Sequence, residues 1–165
     1  MPAIRSVLAA LSLGILAACT GTATAPVPTT PASSADAAGS QGDAVVRVGD
    51  VTIRASAVQT AQLDAAVARR YGIARDPGTA LLLVSVRQGP DASASALPAA
   101  VTATVAGLTG GREPLAMREL RIDGLIDYIG TASTTLPDTL RFEVTVVPQG
   151  GTAASLQFSR DLYPL

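Results

Sequence analysis

From Ala44 onward, apolar residues fall on alternate positions in short runs, and Gly, Pro and Asp separate the runs. Thr139–Val147 sets Leu140, Phe142, Val144 and Val146 against Arg141, Glu143 and Thr145. Ser155–Tyr163 sets Leu156, Phe158 and Leu162 against Gln157, Ser159 and Asp161. Successive side chains of a strand point to opposite faces, so this period of two predicts strands with one face inward. Val45–Val48 and Val51–Val58 flank Gly49-Asp50, and Val101–Leu108 alternates Val with Thr or Ala. Leu115–Ile122 and Leu125–Ala132 flank Asp123-Gly124, a dipeptide suited to the two positive φ angles of a type I′ hairpin. Ala80–Arg87 is apolar almost throughout and reads as a central strand covered on both sides. The pattern predicts an all-β fold, an immunoglobulin-like antiparallel β-sandwich of about seven or eight strands, with an open barrel as the alternative.

One segment departs from this period. Residues 63–71 place Leu63, Ala66, Val67 and Tyr71 on one helical stripe, with Gly72 as the stop, and predict a short helix between strands. Arg69 and Arg70 fall at its C-terminal end, where cations meet the helix dipole favourably; an anion site with Arg75 is the sharper reading. Gly89–Ala99 reads as a loop.

The hairpin at Asp123-Gly124 contains a local conflict. A two-residue turn places Ile122 opposite Leu125, Leu120 opposite Asp127 and Arg118 opposite Ile129 on one face, and Glu119 opposite Tyr128 on the other. Arg118 and Asp127 are then diagonal neighbours on an otherwise apolar face, which predicts an ion pair at least half buried. The rival is a β-bulge at Arg118-Glu119, because apolar parity switches from odd (Leu115, Met117) to even (Leu120, Ile122). Either is structural; the functional alternative is a polar recognition patch of Arg118, Glu119, Asp127 and Tyr128.

The chain begins differently. Arg5 precedes an apolar run, Val7–Ala18, too short to cross the roughly 30 Å of a bilayer core, and residues 1–18 read as a secretory signal. The run closes on Leu16-Ala17-Ala18-Cys19, which contains the only cysteine and resembles the lipobox of bacterial lipoproteins. That resemblance implies cleavage before Cys19 and acylation of its thiol and new amine, a stable membrane anchor. The alternative is an ordinary signal with a chance cysteine. Thr20 stands where lipoproteins held in the inner membrane of enteric bacteria often carry Asp, which favours the outer membrane. Residues 19–43, rich in Thr, Ala, Pro, Ser and Gly, lack the apolar content to form a core and read as a tether. Residues 44–165 have the size of one domain.

That domain carries eleven Arg against eight Asp and three Glu, a formal charge of zero, which argues against nucleic acid as a partner. The whole chain has no His, Lys, Asn or Trp. Without His or Lys there is no Ser-His or Cys-His nucleophile, no Ser-Lys dyad and no Schiff base. With Cys19 acylated, zinc, copper and iron lose their usual ligands, and no D-x-D-x-D-G calcium loop appears. No catalytic, metal or cofactor residue is assigned, and the protein is expected not to be an enzyme.

Tyr71-Gly72-Ile73, Leu82-Leu83-Val84-Ser85-Val86, Met117-Arg118-Glu119-Leu120, Asp127-Tyr128-Ile129-Gly130, Leu140-Arg141-Phe142 and the end from Phe158 to Tyr163-Pro164 occur in an order and spacing similar to domain-of-unknown-function family four-four-two-six (DUF4426). This family comprises small exported proteobacterial proteins. The resemblance spans about Val48 to Pro164 and implies an immunoglobulin-like sandwich in the cell envelope, with no established activity and no functional residues to carry over. Arg54–Thr60 departs from it in being small and polar. The leading expectation is a non-catalytic envelope module that binds another protein through strand addition and contacts the membrane through its anchor. The alternative is a periplasmic small-ligand domain for a cell-wall fragment or peptide. A third class, a carboxylate-dependent hydrolase, would need two carboxyl groups roughly 5–10 Å apart across a cleft.

Overall fold

The structure, a computed structural model, describes residues 42–165. The expected leader, the lipid site at Cys19 and the tether up to residue 41 lie outside the described residues; Asp43, expected at the end of the tether, is the first residue of β1.

Ten strands among the described residues form two antiparallel sheets. The strands are β1 (Asp43–Val48), β2 (Val51–Gln59), β3 (Thr79–Gln88), β4 (Ser95–Ala96), β5 (Ala99–Ala106), β6 (Glu113–Leu115), β7 (Arg118–Ile122), β8 (Leu125–Ser133), β9 (Asp138–Pro148) and β10 (Ala154–Leu162). The larger sheet runs β1-β2-β3-β8-β7, with β4 beside β3; the smaller runs β10-β9-β5-β6. The non-consecutive neighbours β3–β8 and β5–β9 weave the chain between the sheets, so neither sheet folds from one contiguous segment. The all-β sandwich expected from the alternation is the observed architecture.

Two short strands exceed the expected number. The first is β4, which lies inside the expected Gly89–Ala99 loop and extends the larger sheet over the end of β3. The second arises because Leu115–Ile122 is two strands in different sheets. Its beginning pairs with β5 as β6, and its end pairs with β8 as β7. This crossing explains the switch of apolar parity: Leu115 faces inward from one sheet, and three residues later, at Arg118, the chain enters the other. The β7–β8 ladder pairs residue for residue from Arg118–Ile129 to Ile122–Leu125, so the rival reading, a bulge at Arg118-Glu119, is absent.

The inward positions supply the core. Ile53, Ala55, Leu82, Val84 and Val86 from the larger sheet meet Phe142, Val144, Val146, Leu156 and Phe158 from the smaller, all nearly inaccessible to solvent. Phe142 and Phe158 are cross-strand partners and stack with ring centroids 5.3 Å apart. β3 is central, as expected, and Leu81 is buried on the face opposite the core.

The helix α1 spans Ala65–Tyr71, capped by the Asp64 carboxylate at Ala66 and Val67 N–H and ended by Gly72 in the left-handed region. Its expected apolar stripe is corrected: Ala68 is the buried residue, Val67 is 38% exposed, and Leu63 and Tyr71 are half-buried. A helix of this length makes too few turns for the pattern to fix which side packs; the capping residues and Arg118, which donates to the Tyr71 carbonyl, set its placement.

Candidate interaction site

The β7–β8 hairpin holds the four residues singled out from the sequence. Asp123 and Gly124 have φ of 51° and 79°, the paired positive values of a type I′ turn, and the register is the expected one. Expectation and structure part company at the ion pair. Asp127 pairs with Arg87 at 2.6 Å, and the two side chains are 18% and 20% exposed. Arg87 also donates to the Ile126 carbonyl at 2.8 Å. Arg118 donates to the Tyr71 carbonyl instead. The expected Arg118–Asp127 pair is not formed; the diagonal partner of Asp127 lies on the other side of β8. Asp127 stands opposite Ser85 on β3, so Arg87 is its diagonal neighbour there, a relation that hairpin reasoning does not reach.

The remaining two residues are on the opposite face. The Tyr128 hydroxyl accepts from Ala99 N–H at 2.7 Å, tying the larger sheet to β5 of the smaller, and donates to Glu119 at 3.5 Å. Glu119 also pairs with Arg121, two positions along its own strand. The four residues therefore divide between the two faces of the hairpin, Arg118 and Asp127 with separate partners on one and Glu119 and Tyr128 together on the other, rather than forming one patch. Of the arginines read as a possible anion site, Arg75 donates to the Ala61 carbonyl at 2.7 Å and Arg70 reaches Asp123 at 3.5 Å, so these two are engaged apart from one another.

The crossing from β6 to β7 creates a cleft of about 460 Å³. Ile129, Gly130, Thr131 and Ser133 of β8 line it, with the post-helix loop 72–79 on one side and Ala116–Arg118 on the other. β7 covers β8 only as far as Ile129, so the edge of β8 over 130–133 has no strand beside it among the described residues. Gly130 permits the crossing. A Cβ there would stand 2.7 Å from Met117 Sδ and 2.9 Å from the Ala116 carbonyl oxygen, closer than any side chain tolerates.

Two buried polar residues that the sequence reading missed hold the loop wall. Gln59 donates to the carbonyls of Pro77 and Tyr163. Thr60 exchanges hydrogen bonds with the backbone of Asp76, donating to its carbonyl at 3.0 Å and accepting from its N–H at 2.9 Å. Strand parity carried the signal: Gln59 continues the inward series Val51, Ile53, Ala55 and Ala57, and a polar residue on such a series must find partners.

A smaller cleft of about 350 Å³ borders Asp138. The carboxylate accepts from Leu108 N–H, Thr139 N–H and the Thr134 hydroxyl. These bonds, led by the one from Leu108 and opposed in part by burial, hold its pKa below the ordinary aspartate value. Such a carboxylate stays ionised and occupied, and its role here is to fasten the loop after β5. Among the described residues no group of three or more His, Cys, Asp or Glu stands together to hold a metal ion, and no helix is long and apolar enough to cross a membrane.

The model of the domain of unknown function DUF4426 matches residues 45–164. The chain belongs to this family. Its fold is shared with the crystal structure of a DUF4426 family protein from Pseudomonas aeruginosa PAO1, at 25% identity and a TM-score of 0.61, over 75% of this chain and 97% of that one. FetP of uropathogenic E. coli strain F11, expressed recombinantly in the periplasm of E. coli, matches at 9% identity and a TM-score of 0.54, over 75% of this chain and 95% of that one, and shows the fold alone. No curated protein matches the sequence. DUF4426 membership thus agrees with the resemblance carried by Met117–Leu120 and Asp127–Gly130, and those segments prove to be the hairpin and the cleft floor.

Proposed function

We propose that this DUF4426 protein is an exported lipoprotein, anchored through Cys19 on the periplasmic side of an envelope membrane, the outer one favoured by Thr20, and that its sandwich is a non-catalytic module for recognising another envelope protein. The observation that carries the recognition reading is the bare edge of β8 at the floor of the cleft. An extended segment laid along Gly130–Ser133 would continue the lane that β7 leaves at Arg118, satisfy the free backbone groups and place alternate side chains towards Ile129 and the loop wall. A photo-crosslinking residue at Thr131, exposed on that edge, should give one discrete adduct in intact envelopes, and the same residue at exposed Gln157 on β10 should not. Equal labelling from both positions, or none from Thr131, overturns the assignment. For the anchor, palmitate should label the parent chain and not a Cys19→Ser variant; an unlabelled parent removes it.

A second reading has one observation in its favour. The cleft volume falls within the roughly 300–1,000 Å³ of small-molecule sites, and its lining mixes Met117 and Ile129 with Asp76, Thr79 and Arg118. A cell-wall fragment or peptide that raises the melting temperature of the parent but not of a Thr131→Arg variant would support this alternative.

A further inference from the structure

The outer edge of β7 is open to a partner of a specific kind. The turn fixes which backbone groups face it. In a two-residue hairpin the flanking residues Ile122 and Leu125 exchange both hydrogen bonds, so Arg118, Leu120 and Ile122 direct their N–H and C=O groups to β8, and Glu119 and Arg121 direct theirs outward. No strand accepts those outward groups among the described residues. The other sheet margins are finished differently. β1 lies against β10 through the Gly42 N–H bond to the Ser159 carbonyl at 2.9 Å, and β6 is three residues long and contains Pro114.

The side chains on the open edge are complementary to themselves. The strand reads Arg-Glu-Leu-Arg-Ile. Turned by a two-fold axis through Leu120, a second copy sets Glu119 opposite Arg121 and Arg121 opposite Glu119, both on the core-side face, with Leu120 against Leu120 on the other. The same superposition aligns the outward backbone groups of Glu119 and Arg121 as two hydrogen-bonded pairs, and places Leu120 at the close, non-bonded position between them. A shift of two residues along the strand puts Glu119 against Glu119 or Arg121 against Arg121. Charge therefore selects one register, and the same register satisfies the backbone.

We propose that β7 is a homodimerisation edge, pairing antiparallel with β7 of a second copy about Leu120 to join two larger sheets into one. The interface is a five-residue strand and falls in the small, exchangeable class. The pairing is isologous: each copy presents the same patch to the other. It leaves the bare edge of β8 free and stands apart from the partner-recognition reading.

The test uses the full chain in cells. A Leu120→Cys substitution sets two thiols face to face at the dyad and should give a covalent dimer on a non-reducing gel, whereas Val45→Cys, exposed on the opposite margin of the sheet, should not. Adding Glu119→Arg or Arg121→Glu to the Leu120→Cys chain should lower the dimer yield roughly tenfold, since each sets like charges opposite one another twice. Co-expressing those two variants should restore the mixed dimer, because every cross-strand pair again has opposite signs. A parallel measurement on the chain with Leu120 intact, the concentration dependence of its sedimentation, should show the same loss with either single reversal and the same recovery on mixing. No dimer from Leu120→Cys with no concentration-dependent sedimentation of the parent, or a dimer indifferent to both reversals, overturns the proposal.

Discussion

The two margins of the larger sheet end in opposite ways. At β1 the chain closes the sandwich: Gly42 adopts φ of 99°, its N–H bonds to the Ser159 carbonyl, and its own carbonyl accepts from Ala57 N–H at 2.9 Å. At β7 no strand among the described residues covers the outward backbone, and the strand is held from behind by the turn and by β8. A closed margin draws its stability from backbone conformation and main-chain bonds. An open one leaves its own residues free for another role and puts its structural support one strand inward. Loss of stability and loss of association should therefore separate between the two margins.

The largest effect should come from that inward support. Replacing Arg87 or Asp127 alone by Ala leaves a charge about four-fifths buried without its partner, at a cost of about 2–4 kcal/mol in denaturant unfolding. Replacing both should cost less than either single change, and equal losses would show that the pair does not stabilise through its charges. Next comes the seam that starts the open margin. Gly130→Ala drives a methyl against the Ala116 carbonyl oxygen and should cost about 1–3 kcal/mol, with the crossing forced away from β8. At the closed margin, Gly42→Ala must hold a conformation L-residues avoid and meets the flexible end of Arg160, so about 1–2 kcal/mol is expected in the same measurement.

A pH response offers a reference away from both margins. Because folding lowers the Asp138 pKa, its contribution is complete above the ordinary aspartate value of about 3.9 and is lost as pH falls through the lower folded value. An Asp138→Asn variant should show a flatter acid limb in thermal melts. The smallest change belongs to the open margin itself. Glu119→Gln or Arg121→Gln removes an exposed pair and should shift unfolding by no more than about 0.5 kcal/mol. A large loss there would mean that β7 is part of the structural frame and erase the distinction between the margins.

Most of the longer strands were legible because they depend on local alternation. β9 and β10 fall within two residues of their expected limits, and the hairpin register followed from a turn chemistry that leaves one solution. The candidate site was less legible. Arg118, Glu119, Asp127 and Tyr128 do share one hairpin, but the expected pairing of Arg118 with Asp127 fails because partners come from segments far along the chain: Asp127 finds Arg87, Tyr128 finds Ala99, and Arg118 finds the end of α1. Gln59 was visible in principle as a polar residue on an inward series, though its partners at Pro77 and Tyr163 were not.

Alternation and turn chemistry, written in the sequence, determined that this chain forms strands, which faces of them turn inward, and that residues 118–129 make a type I′ hairpin. Tertiary structure decided that Leu115 and Arg118 belong to different sheets, that β8 lies between β3 and β7, and that one margin closes while the other stays open. The reason is range. A period of two is set by the backbone of neighbouring residues, whereas the strand on the far side of β8 is chosen by which inward faces pack without gaps, and that choice is made among residues forty positions apart.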